Sequence, residues 1–361
     1  MSEQAAAAAK RPRPGRTAVR VVLSVVLVAA IFWYLLKGID LGNVWANITA
    51  MTWLELATLA VIAGWNLATY ALVWISVTPG LSFWRAMAMT QSTTAVANTV
   101  PVVGAPIGVG MTYGMLGSWG YSRSRTTTAV LVSGVWNAFA KLGLPVLALA
   151  LVALQGNAGG ARVTAALVGI AGLVGAVVVF ALVLRSDEMA KRVGVLAGRA
   201  ASRVRRLAGR GPVAGWELAT VKFRSRTVDL LEHGWLPITV ATLVSHLSLY
   251  LVLLVTLRHV GVSNTEVNWA EVLAVFAFAR LATAIPFTPG GAGVVEAVLI
   301  GGLTSAGGDR EQVTAAVLVF RALTWGLPIL VGIATYLWWR RSSIRPEPVT
   351  AAGPHVAGPP Q

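Results

Sequence analysis

Apolar runs long enough to cross a bilayer recur along this chain, and no other feature narrows its fold so far. A helix needs roughly 20 apolar residues to span the hydrocarbon core. Runs of that kind lie at Thr17–Leu36, Trp53–Val77, Trp84–Val103, Thr126–Leu154, Val163–Leu184, Trp235–Leu257, Trp269–Ile285 and Gln312–Trp339. Two Gly-rich pieces, Ile107–Leu116 and Val294–Leu303, are too brief to count as full spans. A spanning barrel would instead alternate along strands of about 10 residues. The sequence therefore predicts an all-α polytopic membrane protein with about eight transmembrane helices and two broken or re-entrant segments. Charge content agrees, because 12% of the 361 residues are charged, against about 25% in soluble domains.

The placement of the basic residues predicts orientation. The net charge of +15 suggests nucleic acid at first sight, but the basic residues lie between apolar runs, so nucleic acid is not an expected partner. Lys10, Arg11, Arg13, Arg16 and Arg20 precede or open the first run, which ends without a small-residue cleavage site and reads as an uncleaved span. The segment 185–234 holds 11 of the 29 Lys and Arg residues, and Arg340, Arg341 and Arg345 follow the last run. The positive-inside rule puts all three stretches, and hence both termini, in the cytoplasm. The expected organisation is a disordered tail (1–16), a first membrane half (17–154), a second (163–339) carrying the basic cytoplasmic loop 185–234, and a disordered tail (342–361). Within that loop Val193, Leu196, Ala200, Val204 and Leu207 recur at helical spacing, a pattern expected to lie flat on an anionic leaflet. The Ala- and Arg-rich, Lys-poor composition suggests a high-GC bacterium, and so a bacterial cytoplasmic membrane.

Two stretches of the chain resemble each other. Trp84 to Pro101 and Trp269 to Pro286 are both 17 residues apart, and a Gly-Leu-Pro proline follows 44 residues later (Pro145) in one and 42 later (Pro328) in the other. The charge count gives the spans before the two copies opposite directions, which predicts an inverted repeat of the kind many transporters rock around. Each copy is interrupted, at Pro101, Gly104 and Gly108 and at Pro286, Pro289, Gly290, Gly291 and Gly293. Proline lacks a backbone donor and glycine tolerates unusual angles, so neither stretch is expected to be regular helix. Unpaired peptide groups at membrane depth need a covering of protein or a water-filled cavity, so matched breaks point to a binding site between the halves. An extramembrane loop with a tight turn is the plainer reading of the same residues.

Ionisable residues inside apolar runs sharpen that expectation, since each costs about 2.5–3.5 kcal/mol at mid-membrane on insertion scales. Arg280 precedes the second break, Glu296 follows it, Arg321 lies deep in the last run, and Lys141 is the approximate counterpart of Arg321 in the first half. One reading is a cationic pocket for a phosphate or glycan head group, with Glu296 as counter-ion; the other is a structural ion pair. His246 reads as a helix-packing group, and Arg85, Arg123, Arg162 and Arg258 as anchors near span ends. With no Cys and no acidic cluster at metal-ligand spacing, no metal is expected. Walker, His-Glu-x-x-His and Gly-x-Ser-x-Gly motifs are absent from the sequence, so no cofactor and no enzyme activity is expected.

At Ile285-Pro-Phe-Thr-Pro-Gly-Gly-Ala-Gly-Val-Val-Glu296 the sequence resembles the flippase-like membrane domain of lysylphosphatidylglycerol synthases and their stand-alone relatives. Arg321 before Pro328 matches that family's last helix, and Asn98-Thr-Val-Pro101 with Gly104, Gly108 and Gly110 resembles its upstream counterpart. The resemblance implies movement of a lipid or lipid-linked head group across the bilayer, with anionic or polyprenyl-linked membrane lipids as partners. It does not imply the synthase reaction, which in that family belongs to a separate soluble domain. A membrane-embedded lipid or polyprenyl transferase and a non-transporting scaffold are the alternatives, and oligomeric state is open.

Overall fold

The computed structural model describes residues 37–100, 103–154, 160–207, 215–283 and 288–343, together with Val26, Ala30 and Trp33. Pro101, Pro286, both terminal tails and nearly all of the first apolar run lie outside the described residues. Twelve α-helices and no strand occur among the described residues. They are α1 (Leu41–Thr49), α2 (Trp53–Val77), α3 (Phe83–Thr99), α4 (Gly104–Ser118), α5 (Arg123–Leu154) and α6 (Gly160–Arg185). After these come α7 (Asp187–Leu207), α8 (Trp216–His259), α9 (Trp269–Ala282), α10 (Val294–Ser305), α11 (Arg310–Arg321) and α12 (Leu327–Ser343). A 3₁₀ turn, Pro289–Gly291, precedes α10, and a π-helical turn, Ala322–Gly326, joins α11 to α12.

Among the described residues, four helical stretches are long and apolar enough to cross a membrane: Trp53–Val77, Arg123–Leu154, Gly234–His259 and Arg310–Ser342. Two of the eight expected spans, Trp84–Val103 and Trp269–Ile285, are not full spans, for a physical reason. At about 1.5 Å per residue, α3 and α9, with 17 and 14 residues, reach only about 26 and 21 Å before their breaks. The hydrocarbon core is about 30 Å thick. The following α4 and α10, of 15 and 12 residues, are shorter than a span as well.

Local sequence explains where the helices begin. Thr52 and Glu55 cap α2 reciprocally, the Thr52 N–H donating to Glu55 Oε2 at 2.7 Å and the Glu55 N–H to Thr52 Oγ1 at 3.3 Å. Asn268 and Glu271 do the same for α9. These two acidic residues of the apolar runs are therefore helix caps. Arg258 is also more than an anchor: its guanidinium donates to the carbonyls of Val262, Ser263 and Val267 and closes the turn after α8.

Two expectations are corrected. Gly104 and Gly108 do not lie in an irregular break but inside α4. Their missing side chains let α4 press on α3, where a Cβ on Gly104 would meet the Val96 carbonyl oxygen at 2.6 Å and one on Gly108 the Thr93 oxygen at 3.1 Å. Pro106 is harmless because the first-turn N–H groups of a helix have no intrahelical acceptor. Secondly, 185–234 is not a loop bearing one flat helix. It holds α7 and the first half of α8, and the two pack together. Their contact uses a stripe of small buried residues, Ala190, Gly194, Gly198 and Ser202, against Trp216, Glu217 and Thr220. The expected apolar stripe lies on another face of α7, where Leu196 is exposed and Val193 partly so; the side chains of Val204 and Leu207 lie outside the described set.

In the packing, α2 lies along α8, α3 along α12, and α9 along α5. Asn66 of α2 donates to Ser248 Oγ of α8 at 2.8 Å, and Thr69 Oγ1 is 3.2 Å from the same hydroxyl. Ser92 of α3 reaches the Gly332 carbonyl of α12 at 3.3 Å. The largest apolar core gathers Leu253, Phe276, Leu299, Val317 and Phe320 from α8 to α11.

Candidate functional site

The second break is the best-defined part of the site. Gly290, Gly291 and Gly293 take φ values of +57°, +73° and +84°, which side-chain-bearing residues rarely adopt. Gly290 also has no room for a side chain, because a Cβ there would lie 2.5 Å from Trp325 Nε1 and 2.8 Å from Asn98 Oδ1. The end of α3, the 3₁₀ turn and the π-helical turn thus meet at one point, and Asn98 Nδ2 donates to the Trp325 carbonyl at 3.3 Å.

Glu296 stands at the third position of α10. Its Oε2 accepts the Gly293 N–H at 2.7 Å and caps the helix, where the half-charge of the helix dipole favours a carboxylate. Its Oε1 accepts from Arg321 Nε, also at 2.7 Å, and Glu296 is only 3% exposed. Arg321 donates a further bond to the Gly290 carbonyl at 3.2 Å and lies over the Trp325 ring. This pair ties α11 to α10 and to the glycine turn, so both carboxylate oxygens are already engaged.

Arg280 and Lys141 are placed differently. Lys141 Nζ of α5 donates to Thr283 Oγ1 at 3.1 Å, and that hydroxyl donates in turn to the Arg280 carbonyl at 2.6 Å. Neither cation has a carboxylate partner among the described residues, and the buried Arg280 Nε has no hydrogen bond there. Glu296, expected to serve both arginines, pairs among the described residues with Arg321 and not with Arg280.

Arg280 and Tyr70 line two adjoining cavities. The smaller, about 60 Å³, also touches Thr283, Gly290, Arg321 and Thr324. The larger, about 300 Å³, lies among α2, α4, α5, α8 and α9 and is lined by Ser133, Asn137, Thr242, Ser245 and His246 as well. The Thr242 Oγ1 and His246 Nε2 atoms are buried without partners among the described residues. His246 Nδ1 lies 3.0 Å from the Thr242 carbonyl, which can only accept, so Nδ1 carries the proton. Sequence reasoning passed over Asn137, Thr242 and the chamber role of His246. The available signals were the spacings Ser133, Asn137, Lys141 on α5 and Thr242, Ser245, His246 on α8, each one helix face.

Broken helices, a buried ion pair and a polar chamber bearing Arg280 between apolar spans define an integral membrane protein with a polar interior. The family model described as "Lysylphosphatidylglycerol synthase TM region" matches residues 21–332, and the chain belongs to that family. No curated protein matches the sequence.

Proposed function

We propose that this protein carries a lipid, or a lipid-linked head group, across a bacterial cytoplasmic membrane, the head group occupying the chamber at Arg280. The observation that carries the reading is the pair of cations, Arg280 and Lys141, without carboxylate partners among the described residues. An intramembrane cation costs kilocalories to keep, and an anionic phosphate or glycosyl phosphate arriving from the lipid would supply the missing counter-charge. Arg321 is already neutralised by Glu296, so it holds the second break in shape while Arg280 meets the substrate and Lys141, held on Thr283 beside the cavities, adds its charge.

The helix pairing supports an inverted repeat as the frame for this movement. Exchanging α3 with α9, α4 with α10, and α5 with α11–α12 turns the α3–α12 contact into α9–α5. The same exchange turns α3–α4 into α9–α10 and α4–α5 into α10–α11, and all of these contacts are present. Both termini and the α7–α8 hairpin then face the cytoplasm, as their positive charge favours. A transferase acting at Glu296 would need a free carboxylate oxygen, and neither is free.

Reconstitution into liposomes with a leaflet-selective anionic lipid probe tests the proposal. Arg280→Gln is expected to slow probe movement at least about tenfold, the effect of 1.4 kcal/mol, with the thermal midpoint unchanged or raised. Wild-type rates in both Arg280→Gln and Lys141→Gln would refute it. A probe recovered with altered mass would indicate a transferase, and no movement by the wild type a scaffold.

A further inference from the structure

The helix α4 has a second cavity on its other side. Val109 faces the polar chamber, whereas Ile107, Gly110, Met111 and Gly114 line a groove of about 710 Å³ closed by α3 and α12. We propose that this groove holds one hydrocarbon chain, acyl or isoprenyl, of a membrane lipid.

The two faces of α4 differ in what they ask of an occupant. In the chamber, polar atoms of Arg280, Thr242 and His246 lack partners among the described residues. In the groove the polar side chains other than Tyr336, which stands at the interfacial end, are already served. Ser92 bonds to the Gly332 carbonyl and to Thr335, Thr99 Oγ1 donates to the Ala95 carbonyl, and Trp339 Nε1 donates to Ser118. The remaining lining, including Val96, Met115, Ile329 and Ile333, is apolar. Water gains nothing from such walls, while a bilayer supplies hydrocarbon at this depth.

The glycines make the space. A Gly-xxx-Gly stripe in a membrane helix ordinarily brings a second helix close, as Gly104 and Gly108 do against α3. Gly110 and Gly114 form such a stripe on another face, yet a Cβ on either would meet nothing within 4 Å. The volume lies within the roughly 300–1,000 Å³ usual for ligand pockets. From Ile329 to Trp339 the α12 wall is about 15 Å long at the helical rise, suited to an extended chain. One end carries the amphipathic rings of Tyr336 and Trp339, as at a membrane–water interface. The other, at Thr99, adjoins Asn98 and the break at Gly290 and Trp325. A chain entering from the interface therefore ends beside the broken helices. The inference does not depend on transport, because a resident lipid and a carried one present the same chain.

The test uses the full-length protein in nanodiscs of phosphatidylglycerol bearing a diazirine near the acyl terminus, with cross-linked residues located by peptide mass spectrometry. Labelling is expected to concentrate on Ile107, Met111 and Ile329, at the end where the chain stops, over the open lipid-facing positions Val61 and Leu247. The variant Gly110→Leu/Gly114→Leu should lower it about tenfold at Ile107, equivalent to 1.4 kcal/mol. The smaller Gly110→Ala/Gly114→Ala, which meets no atom, should give an intermediate value. Even labelling across all lipid-facing positions would overturn the proposal, as would undiminished labelling in the leucine variant. Cross-links joining two protein copies through the groove would assign it to self-association instead.

Discussion

Substituting Glu296 by glutamine changes one atom type at a site where both oxygens are engaged. The carboxylate accepts from the Gly293 N–H and from Arg321 Nε, each at 2.7 Å. A glutamine side chain offers one acceptor, and its NH₂ group must then face the remaining donor. One charge-assisted bond is lost, a net loss of about 1.5–3 kcal/mol. The largely buried Arg321 cation loses its counter-ion as well, and breaking such a pair from one side costs about 3–5 kcal/mol in all. Because glutamine keeps one acceptor oxygen, the expected destabilisation is somewhat smaller, about 2–4 kcal/mol. At about 2–4 °C per kcal/mol for domains of 150–250 residues, the midpoint should fall by roughly 4–16 °C. Tryptophan fluorescence melts in nanodiscs would read it, using the 14 Trp residues of the chain. Adding Arg321→Gln removes the stranded charge, so the double variant should recover at least about 1 kcal/mol relative to additivity. A Glu296→Gln midpoint within 1 °C of wild type, or strictly additive losses in the double variant, would refute the account of this pair.

Three further outcomes are expected. Gly290→Ala should destabilise by about 1–3 kcal/mol, because of its φ of +57° and the crowding by Trp325 and Asn98, whereas Gly301→Ala, which meets nothing, should be neutral in the same melt. Asn66→Ala should cost about 0.6 kcal/mol and at most about 1.7, the average and maximum for hydrogen bonds between membrane helices, since it removes the amide donor to Ser248 and to the Ser245 carbonyl across α2 and α8; loss of all folding would contradict this. Because the chain has no cysteine, a single Arg199→Cys is reportable without background, and it should be modified only by a reagent with access to the cytoplasmic side.

The long apolar runs were legible because length and hydropathy alone decide them: α2, α5, the second half of α8 and α11–α12 lie where the sequence puts spans. The second break was equally legible, its Pro-Gly-Gly run leaving few backbone alternatives. The first was misread because glycine serves two purposes. At Gly290 it permits a left-handed turn, but at Gly104 and Gly108 it admits a neighbouring helix, and only the neighbour distinguishes them. The α7–α8 hairpin was hidden by its charge, since a small-residue stripe among arginines leaves little apolar periodicity. The ion pair of Glu296 with Arg321 was anticipated as one possibility, but Arg280's separate position depends on which face of α9 meets which cavity. Asn137, Thr242 and His246 come from two helices and are neighbours only after packing.

The exchange of partners, α3 with α12 and α9 with α5, has a consequence for dissecting the molecule. At the α3–α12 contact there is no room even for a methyl group on Gly332 against the Gln91 carbonyl and Ala95. Fragments cut between α6 and α7 would each expose the surface that the other normally covers. Neither should be soluble in detergent as a monomer when expressed alone, yet co-expressed they should find each other, as interlocking pieces do, and restore the whole.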